Sequence, residues 1–179
     1  EKRLESVSFA QPYYDSDQSL TVTAASGITG LKDMGEKVVG VDTGSTGDMW
    51  ADAHKGEYKL GEIRRFEGLQ PAMLDLVAGR VDGYISDIPA LLYYVKDKPE
   101  LKVVERIPTG EMYSIMFNKG DPLATEVNKV ITTLKGEGFI AKLHETWFGA
   151  KAEDTTSTVT DSWKLADFAP LERRCFQIE

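Results

Sequence analysis

A short polar turn between an apolar strand and a helix has the residue types that could hold a small ligand. The run VVGVD, residues 38–42, predicts a buried strand, and a helix is predicted over 46–54. The turn consists of Thr43, Gly44, Ser45 and the first helical residue, Thr46. A helix N-terminus offers N–H groups and partial positive charge, and Gly44 lets a ligand approach the backbone, so a carboxylate suits this turn. The same hydroxyls, together with Asp48, also fit helix capping, which the local pattern favours when taken alone.

Asp87 lies in an equivalent place, directly after the predicted strand GYIS, residues 83–86. One interpretation is a helix N-cap, since an aspartate shortly before a proline is a common helix start. The other is a carboxylate kept ionised by the helix dipole and presented to a ligand cation. Ligands of open α/β sheets bind at the carboxyl ends of strands. An anion site and an acid facing one cleft there would together match a zwitterion.

The elements that must position these residues alternate along the chain. Strands are predicted at residues 19–24, 38–42, 62–67, 83–86, 101–107 and 112–117. Helices are predicted at 46–54, 70–79, 87–97, 122–138 and 139–149. Strands that alternate with helices of about ten residues are typical of a parallel sheet covered on both faces. The middle of the chain is therefore predicted to be an α/β lobe.

Composition excludes several classes of function. The chain has 179 residues and a net charge of -8, so its field repels polyanions and a nucleic-acid partner is not expected. The single cysteine, Cys175, forms no internal disulfide, and the histidine and cysteine spacing fits no metal site, so neither metal nor cofactor is predicted. The first residues, EKRLESVSF, lack the pattern of a signal peptide, although a mature secreted chain would have lost one.

Four motifs give the sequence a family resemblance. In order they are R-x5-F-x2-PYY from Arg3, GLKDMGEKVVGVDTGSTGD, LVAGRVDGYISD, and FNKGDPL followed by VNKVITTLKGEGFIAKLHETWFG. Over about residues 1–149 this order resembles the periplasmic solute-binding proteins of polar amino-acid ABC transporters. That group includes the glutamine-, arginine- and lysine/arginine/ornithine-binding proteins.

The resemblance implies a type 2 periplasmic-binding fold, an α/β fold of two lobes joined by two crossing strands. It assigns residues 1–24 to a remnant of the first lobe and the first crossing strand, and residues 25–110 to a complete second lobe. Residues 111–149 become the second crossing strand and the C-terminal helices of the first lobe, followed by a linker and tail at 150–179. Because the chain starts just after a first-lobe segment of the family, we expect it to be N-terminally incomplete.

The resemblance also implies roles for individual residues. Arg3 matches the arginine whose planar fork clamps the ligand α-carboxylate, although a solvated terminal arginine is the alternative. The turn at 43–46 matches the second-lobe site for the same carboxylate, and Asp87 matches the aspartate that takes the α-ammonium group. Asp42 matches the position that touches the ligand side chain. An acid there favours a cationic side chain, unless Asp42 only caps the turn.

The implied function is extracytoplasmic, periplasmic capture of a polar amino acid or related amine, with a basic one favoured by Asp42, for presentation to a membrane ABC permease. Two alternatives are the ligand-sensing domain of a receptor and a cyclohexadienyl dehydratase-like enzyme on the same fold. We expect no enzyme, because the two histidines, His54 and His144, are predicted far from the turn and from Asp87.

An apolar stripe on the last two predicted helices needs a covering surface. It contains Leu123, Val127, Val130, Ile131 and Leu134, with Phe139, Trp147 and Phe148 beyond them. In the family these residues would pack on the first-lobe sheet, and leaving them in water is costly. A second polypeptide, a swapped neighbour or the tail at 163–179 could cover the stripe, so self-association is one expectation. Ligand binding by this chain alone is expected to be weak.

Overall fold

The computed structural model describes residues 5–149, 151–152 and 154–160. Arg3 and the tail from residue 161 onward lie outside the described residues, so their assigned roles stay predictions. The described residues form two compact units. One unit is Asp17–Pro108, and the other contains the described residues up to Ser16 and from Thr109 onward.

The five α-helices and five of the six predicted strands agree closely with the predicted bounds, whereas the short strands Val7–Phe9 and Tyr14–Asp15 were not predicted. The strands are β1 (Val7–Phe9), β2 (Tyr14–Asp15), β3 (Gln18–Thr23), β4 (Val38–Asp42), β5 (Glu62–Phe66), β6 (Gly83–Asp87), β7 (Leu101–Ile107), β8 (Met112–Tyr113) and β9 (Met116–Asn118). The α-helices are α1 (Thr46–His54), α2 (Leu69–Val77), α3 (Ile88–Val95), α4 (Leu123–Gly136) and α5 (Phe139–Phe148). Two short 3-10 turns, Ala24–Ser26 and Leu31–Met34, precede β4.

The unit Asp17–Pro108 is built on a five-stranded sheet with the order β5-β4-β6-β3-β7. The predicted parallel arrangement is correct for β4 with β5 and for β4 with β6. In contrast, β3 runs antiparallel to both of its neighbours, β6 and β7. The reason lies in the connection from β3 to β4, which contains only the two 3-10 turns. Without a crossover helix, the chain enters β4 at the edge where β3 ends, and so reverses its direction. Of residues 19–24, interpreted from the sequence as the first crossing strand, residues 19–23 lie in this sheet.

Two apolar clusters cover the two faces of the sheet. Tyr84 and Ile85 are neighbours on β6 and belong to opposite clusters, as side-chain alternation along a strand requires. Helix α1 adds Ala51 to one cluster, and helices α2 and α3 cover the other. The first cluster includes Leu20, Val22, Val39, Val41, Ala51 and Ile85, and the second includes Ala72, Met73, Leu76, Tyr84, Leu91 and Leu101. Strands buried on both faces were predicted, and the burial confirms them.

The other unit holds helices α4 and α5 with two short antiparallel strand pairs, β1 with β9 and β2 with β8. The single strand predicted at 112–117 is split into β8 and β9. The residues at the break pair with Ala10, whose N–H donates to the Ile115 carbonyl at 2.9 Å. The Ser114 hydroxyl donates to the Ala10 carbonyl at 2.6 Å. Because Ala10 lies between β1 and β2, it makes the bonds that a continuous strand would otherwise carry.

The buried face of α4 is largely polar. Lys135 is buried and its Nζ donates to Gln11 Oε1 at 2.9 Å, to the Pro12 carbonyl at 2.6 Å and to the Thr160 carbonyl at 3.0 Å. The Gln11 main-chain N–H donates in turn to Asn128 Oδ1 at 2.6 Å. Carbonyl oxygens of neutral groups accept all three of these bonds from the Lys135 ammonium. The hydrogen bonds connect helix α4 to residues 11–12.

Half of the eight residues in the predicted apolar stripe are exposed among the described residues, and Val127, Leu134 and Phe148 are half-buried. Ile131 is buried, but Leu123 is 54% exposed and Val130 is 56% exposed. On α5, Phe139 is 47% and Trp147 is 53% exposed. The described part of the chain thus leaves part of this apolar surface in contact with solvent.

Residues 154–160, interpreted from the sequence as part of a polar linker, are anchored to their unit. Ser157 and Thr158 are buried. The Ser157 hydroxyl donates to Asp15 Oδ1 at 2.5 Å, and its N–H donates to Oδ2 of the same carboxylate at 3.2 Å. With the Thr160 carbonyl bonded to Lys135, the segment is attached at its middle and at its last residue.

Replacing Lys135 with alanine removes the donor shared by three oxygens, two of them on the buried residues Gln11 and Pro12. We therefore expect Lys135→Ala to lower the free energy of unfolding by about 2–3 kcal/mol. Urea unfolding followed by circular dichroism measures the change. Lys129→Ala on the same helix is the matched control, because the Lys129 side chain is 63% exposed and bonds only the exposed Glu126 among described residues. Equal effects of the two substitutions would contradict the structural role of the buried network.

Candidate functional site

The described candidate residues come together at one edge of the five-stranded sheet. Asp42 is the last residue of β4 and Asp87 is the last residue of β6, and these two strands are parallel neighbours. Gln18, the first residue of antiparallel β3, lies directly opposite Asp87. Helix α1 begins at Thr46, four residues after Asp42, so its N-terminus lies at the same edge.

The turn before α1 uses a reciprocal capping arrangement. Ser45 is the N-cap, and its hydroxyl accepts a hydrogen bond from the Asp48 N–H at 3.1 Å. Asp48 Oδ2 in turn accepts from the Gly44 N–H at 2.9 Å. Of the two interpretations open from the sequence, capping is observed for Ser45, Gly44 and Asp48. A ligand carboxylate would therefore compete with Asp48 for the Gly44 N–H.

Thr43 joins the turn to the neighbouring strand. Its N–H donates to the Phe66 carbonyl at 2.9 Å, and its hydroxyl lies 3.0 Å from that oxygen and 3.1 Å from Glu67 Oε1. Gly44 then turns the chain with a φ of 69°, a left-handed conformation that favours glycine. Strand β5 thus holds Thr43 in place. Glycine is favoured at position 44 because the backbone there is left-handed.

Gly47 and Gln18 were missed by the sequence reasoning. A Cβ atom on Gly47 would lie 2.8 Å from Gln18 Oε1 and 3.1 Å from the Ile85 carbonyl, so only glycine lets the first turn of α1 pack this closely. Gln18 is fully buried, and its Nε2 donates to Asp87 Oδ1 at 2.7 Å. The Gln18 amide therefore lies between α1 and the Asp87 carboxylate. A glutamine at the start of a buried strand was the only signal, and its partner depends on strand register.

Asp42 is held by two hydroxyl groups. Tyr84 donates to Oδ1 at 2.6 Å, and Ser86 donates to Oδ2 at 3.0 Å. Burial, together with the hydrogen bond to Asp42, raises the pKa of Tyr84 far above its ordinary value, so the phenol stays a donor. The turn contact of Asp42 is made by its main-chain carbonyl, which accepts from the Ser45 N–H at 3.1 Å. The Asp42 side chain is therefore not used as a turn cap.

Asp48 has a charged partner. Arg65 Nε lies 3.0 Å from Asp48 Oδ2, and its Nη2 lies 2.8 Å from Oδ1 and 2.6 Å from Asp52 Oδ2. Burial alone would raise the pKa of Asp48, but the hydrogen bond from Arg65, the Gly44 N–H and the Arg65 charge outweigh it, so the pKa is lowered. Asp48 is ionised at neutral pH and stabilises the turn.

Both histidines stack on aromatic rings. His54 stacks on Trp50 with 4.3 Å between ring centroids, near the end of α1. His144 belongs to the other unit, where it stacks on Tyr14 at 5.6 Å. Within the described ranges no group of three or more His, Cys, Asp or Glu residues could hold a metal ion. The same residues contain no helix long and apolar enough to cross a bilayer.

Comparison with known proteins assigns this arrangement to a family. Residues 1–150 match the bacterial extracellular solute-binding proteins, family 3. The chain belongs to this family. The arginine-binding periplasmic protein of Mannheimia haemolytica is 26% identical over 157 residues, which cover 84% of this chain and 63% of that protein. The chain thus spans less than two thirds of the length of this relative.

Solved structures agree with the family 3 assignment. An ancestral arginine-binding protein bound to arginine is 31% identical with a TM-score of 0.64, covering 83% of this chain and 67% of that one. The second substrate-binding domain of Lactococcus lactis GlnP, in an open conformation, has a TM-score of 0.74 at 21% identity. The match covers 85% of this chain and 66% of that domain. The second likeness supports the fold alone. Together they confirm the predicted type 2 periplasmic-binding fold, with one complete lobe and part of another.

Asp48→Asn tests the capping role assigned to Asp48 in this family 3 chain. Because its pKa is lowered on folding, the stabilisation is complete above the ordinary value of 3.8 and is lost as pH falls through the lower folded value. We expect the substitution to cost about 1 kcal/mol at pH 7 and less below pH 3.8. Urea unfolding at both pH values measures the difference from the wild type.

Asp52→Asn is the control for this experiment, because Asp52 also bonds Arg65 but its side chain is 58% exposed and it does not contact Gly44. We expect a cost of at most about 0.5 kcal/mol at either pH. If Asp48→Asn has the same free energy of unfolding as the wild type at pH 7, the capping role would be contradicted.

Proposed function

We propose that this chain captures a polar amino acid outside the cytoplasm, in the periplasm, and presents it to the permease of an ABC transporter. One observation carries the proposal: Asp42, Asp87 and the N-terminus of α1 share a single edge of the sheet. Acids and a helix N-terminus at one edge suit a zwitterion, which carries both charges. Membership in the extracellular solute-binding family and the arginine-binding relatives support the same function.

Each end of the ligand would have its own partner. Asp87 takes the α-ammonium group, with its carboxylate oriented by the Gln18 amide. The α-carboxylate meets the first turn of α1 at Thr46, where the helix dipole is positive. Arg3, outside the described residues, would add a bidentate clamp on the same carboxylate. Ligand contacts with both lobes would then favour a closed form of the protein.

Asp42 would select the ligand side chain. It is half-buried, and within the described residues its side-chain bonds come from two neutral hydroxyls, so its charge is not cancelled by a cation. A partly buried carboxylate attracts a cation more strongly than one surrounded by water, because screening is weaker. The ligand is therefore a basic amino acid or a related amine. The relatives named as arginine-binding agree with this selection.

We propose binding without catalysis. The two histidines stack on aromatic rings, and the matched relative is named as a binding protein. The acids at this edge accept hydrogen bonds from hydroxyl and amide groups, an arrangement that suits recognition of a cation. Nucleic acid is not a partner, since a net charge of -8 repels it.

The exposed apolar side chains of α4 and α5 would mediate self-association. Leu123, Val130 and Trp147 are each more than half exposed. Exposed apolar residues clustered on one pair of helices favour contact with another apolar surface. A second copy of the chain offers the same surface, so a symmetric contact is available.

We expect isotope-labelled chain titrated with arginine to show NMR shift changes at the amides of residues 42–47 and 87, with a dissociation constant above about 1 µM. The weak binding follows from the partial first lobe, which leaves fewer contacts with the ligand.

Asp42→Asn should reduce the preference for arginine over glutamine by about tenfold, since a neutral amide gains nothing from ligand charge.

Asp97→Asn provides the control for charge alone, because Asp97 is exposed beyond the far end of α3. It should leave the arginine preference at the wild-type value. Absence of shifts with arginine, lysine and glutamine would contradict amino-acid capture. An unchanged preference in Asp42→Asn would contradict only the role of Asp42, and submicromolar binding by the monomeric chain would contradict the expected weakness.

A further inference from the structure

Two hydroxyls hold the Asp42 carboxylate, one on each oxygen. Tyr84 donates to Oδ1 and Ser86 donates to Oδ2. We propose that Tyr84 and Ser86 are positioning residues that make Asp42 select a guanidinium side chain over an ammonium side chain. This inference rests on the proposed function, because it names the ligand class for the same site.

Strand register explains why both hydroxyls reach one carboxylate. On parallel neighbours β4 and β6, Gly40 pairs with Tyr84 and Val41 pairs with Ile85, so Asp42 lies beside Ser86. Residues two apart on a strand share a face, which puts Tyr84 and Ser86 on the same side as Asp42. The carboxylate therefore lies between two donors from a single neighbouring strand.

The Tyr84 hydroxyl is fixed by packing. Its side chain is fully buried in the cluster with Leu76 and Leu91. A Cβ atom on Gly40 would lie 3.3 Å from the Tyr84 ring and 3.0 Å from the Phe66 ring, so glycine makes room for both rings. A ring held this tightly presents its oxygen at one place, and the Asp42 carboxylate takes its orientation from that oxygen.

The hydrogen-bond capacity of Asp42 favours a planar fork. A carboxylate has about four acceptor sites, two on each oxygen. Because one hydroxyl donates to each carboxylate oxygen of Asp42, about one acceptor site remains on each oxygen. A guanidinium donates two parallel N–H groups, one to each carboxylate oxygen, and so can satisfy both remaining sites at once.

An ammonium group fits the same carboxylate less well. It is a compact point charge that is more strongly hydrated than guanidinium, so moving it from water to a half-buried acid costs more. Its donors are not arranged as a planar pair that matches two fixed oxygens. If the hydroxyls did not hold Asp42, the carboxylate could rotate toward one ammonium donor, and the difference would shrink.

Wild-type chain titrated with arginine, lysine and citrulline under NMR observation tests the proposal. Citrulline has the shape of arginine without its charge. We expect arginine to bind about tenfold more tightly than lysine, and citrulline to bind more weakly than arginine. In Tyr84→Phe and in Ser86→Ala, the ratio of the lysine and arginine dissociation constants should fall below about threefold.

Two variants separate positioning from a general structural effect. Tyr94→Phe removes a hydroxyl from a side chain that packs against the same apolar cluster, and it should keep the wild-type ratio. Ser86→Thr retains the hydroxyl at position 86 and should also keep it. A loss of structure alone would weaken arginine and lysine equally, which leaves the ratio unchanged. Ser86→Ala gives an independent measurement if Tyr84→Phe does not fold.

The outcomes distinguish this inference from the proposed function. Equal affinity for arginine and lysine in the wild type, or an unchanged ratio in both hydroxyl-removing variants, would overturn the inference while amino-acid capture stands. If none of these three ligands produces a shift, and glutamine produces none either, both the inference and the proposed function would be overturned. A reduced ratio in both variants, with Tyr94→Phe unchanged, supports the roles of Tyr84 and Ser86.

Discussion

The pairing of β4 with β6 is the interaction on which the candidate site depends. Val41 lies opposite Ile85 in this parallel pair, and that register brings Asp42 beside the hydroxyls of Tyr84 and Ser86. A slip of one residue would move Asp42 to the other face of the sheet, away from both donors. The apolar residues on both faces of these strands therefore specify the register, and through it the orientation of the acid.

Close packing at the same edge connects the remaining groups. Gly47 lets the first turn of α1 contact Gln18, and Gln18 in turn donates to Asp87. On the other side of the turn, Asp48 occupies the Gly44 N–H and is held by Arg65. The chain thus supplies its own carboxylate to part of the turn before α1. A ligand carboxylate would find its favourable field at the start of the helix.

The sequence predicted the elements well but not the partners. Helix α1 was predicted at its observed bounds, because an apolar strand, a capping serine and helical spacing are local signals. Antiparallel β3 was not foreseen, since its direction depends on the connection that follows it. The partners of Asp42 lie 42 and 44 residues away, and that of Gln18 lies 69 residues away. Such pairs depend on strand register, which composition and periodicity do not reveal.

The choice of neutral donors around Asp42 has an electrostatic consequence. A lysine or arginine partner would fix the carboxylate and cancel its charge, as Arg65 does for Asp48. Hydroxyl groups also fix the carboxylate, but they leave its negative charge in place. The protein bears the cost of partly burying this charge, and a cationic ligand would offset that cost on binding. In the proposed function this arrangement would couple ligand charge to affinity, whereas an internal ion pair at Asp42 would remove that coupling.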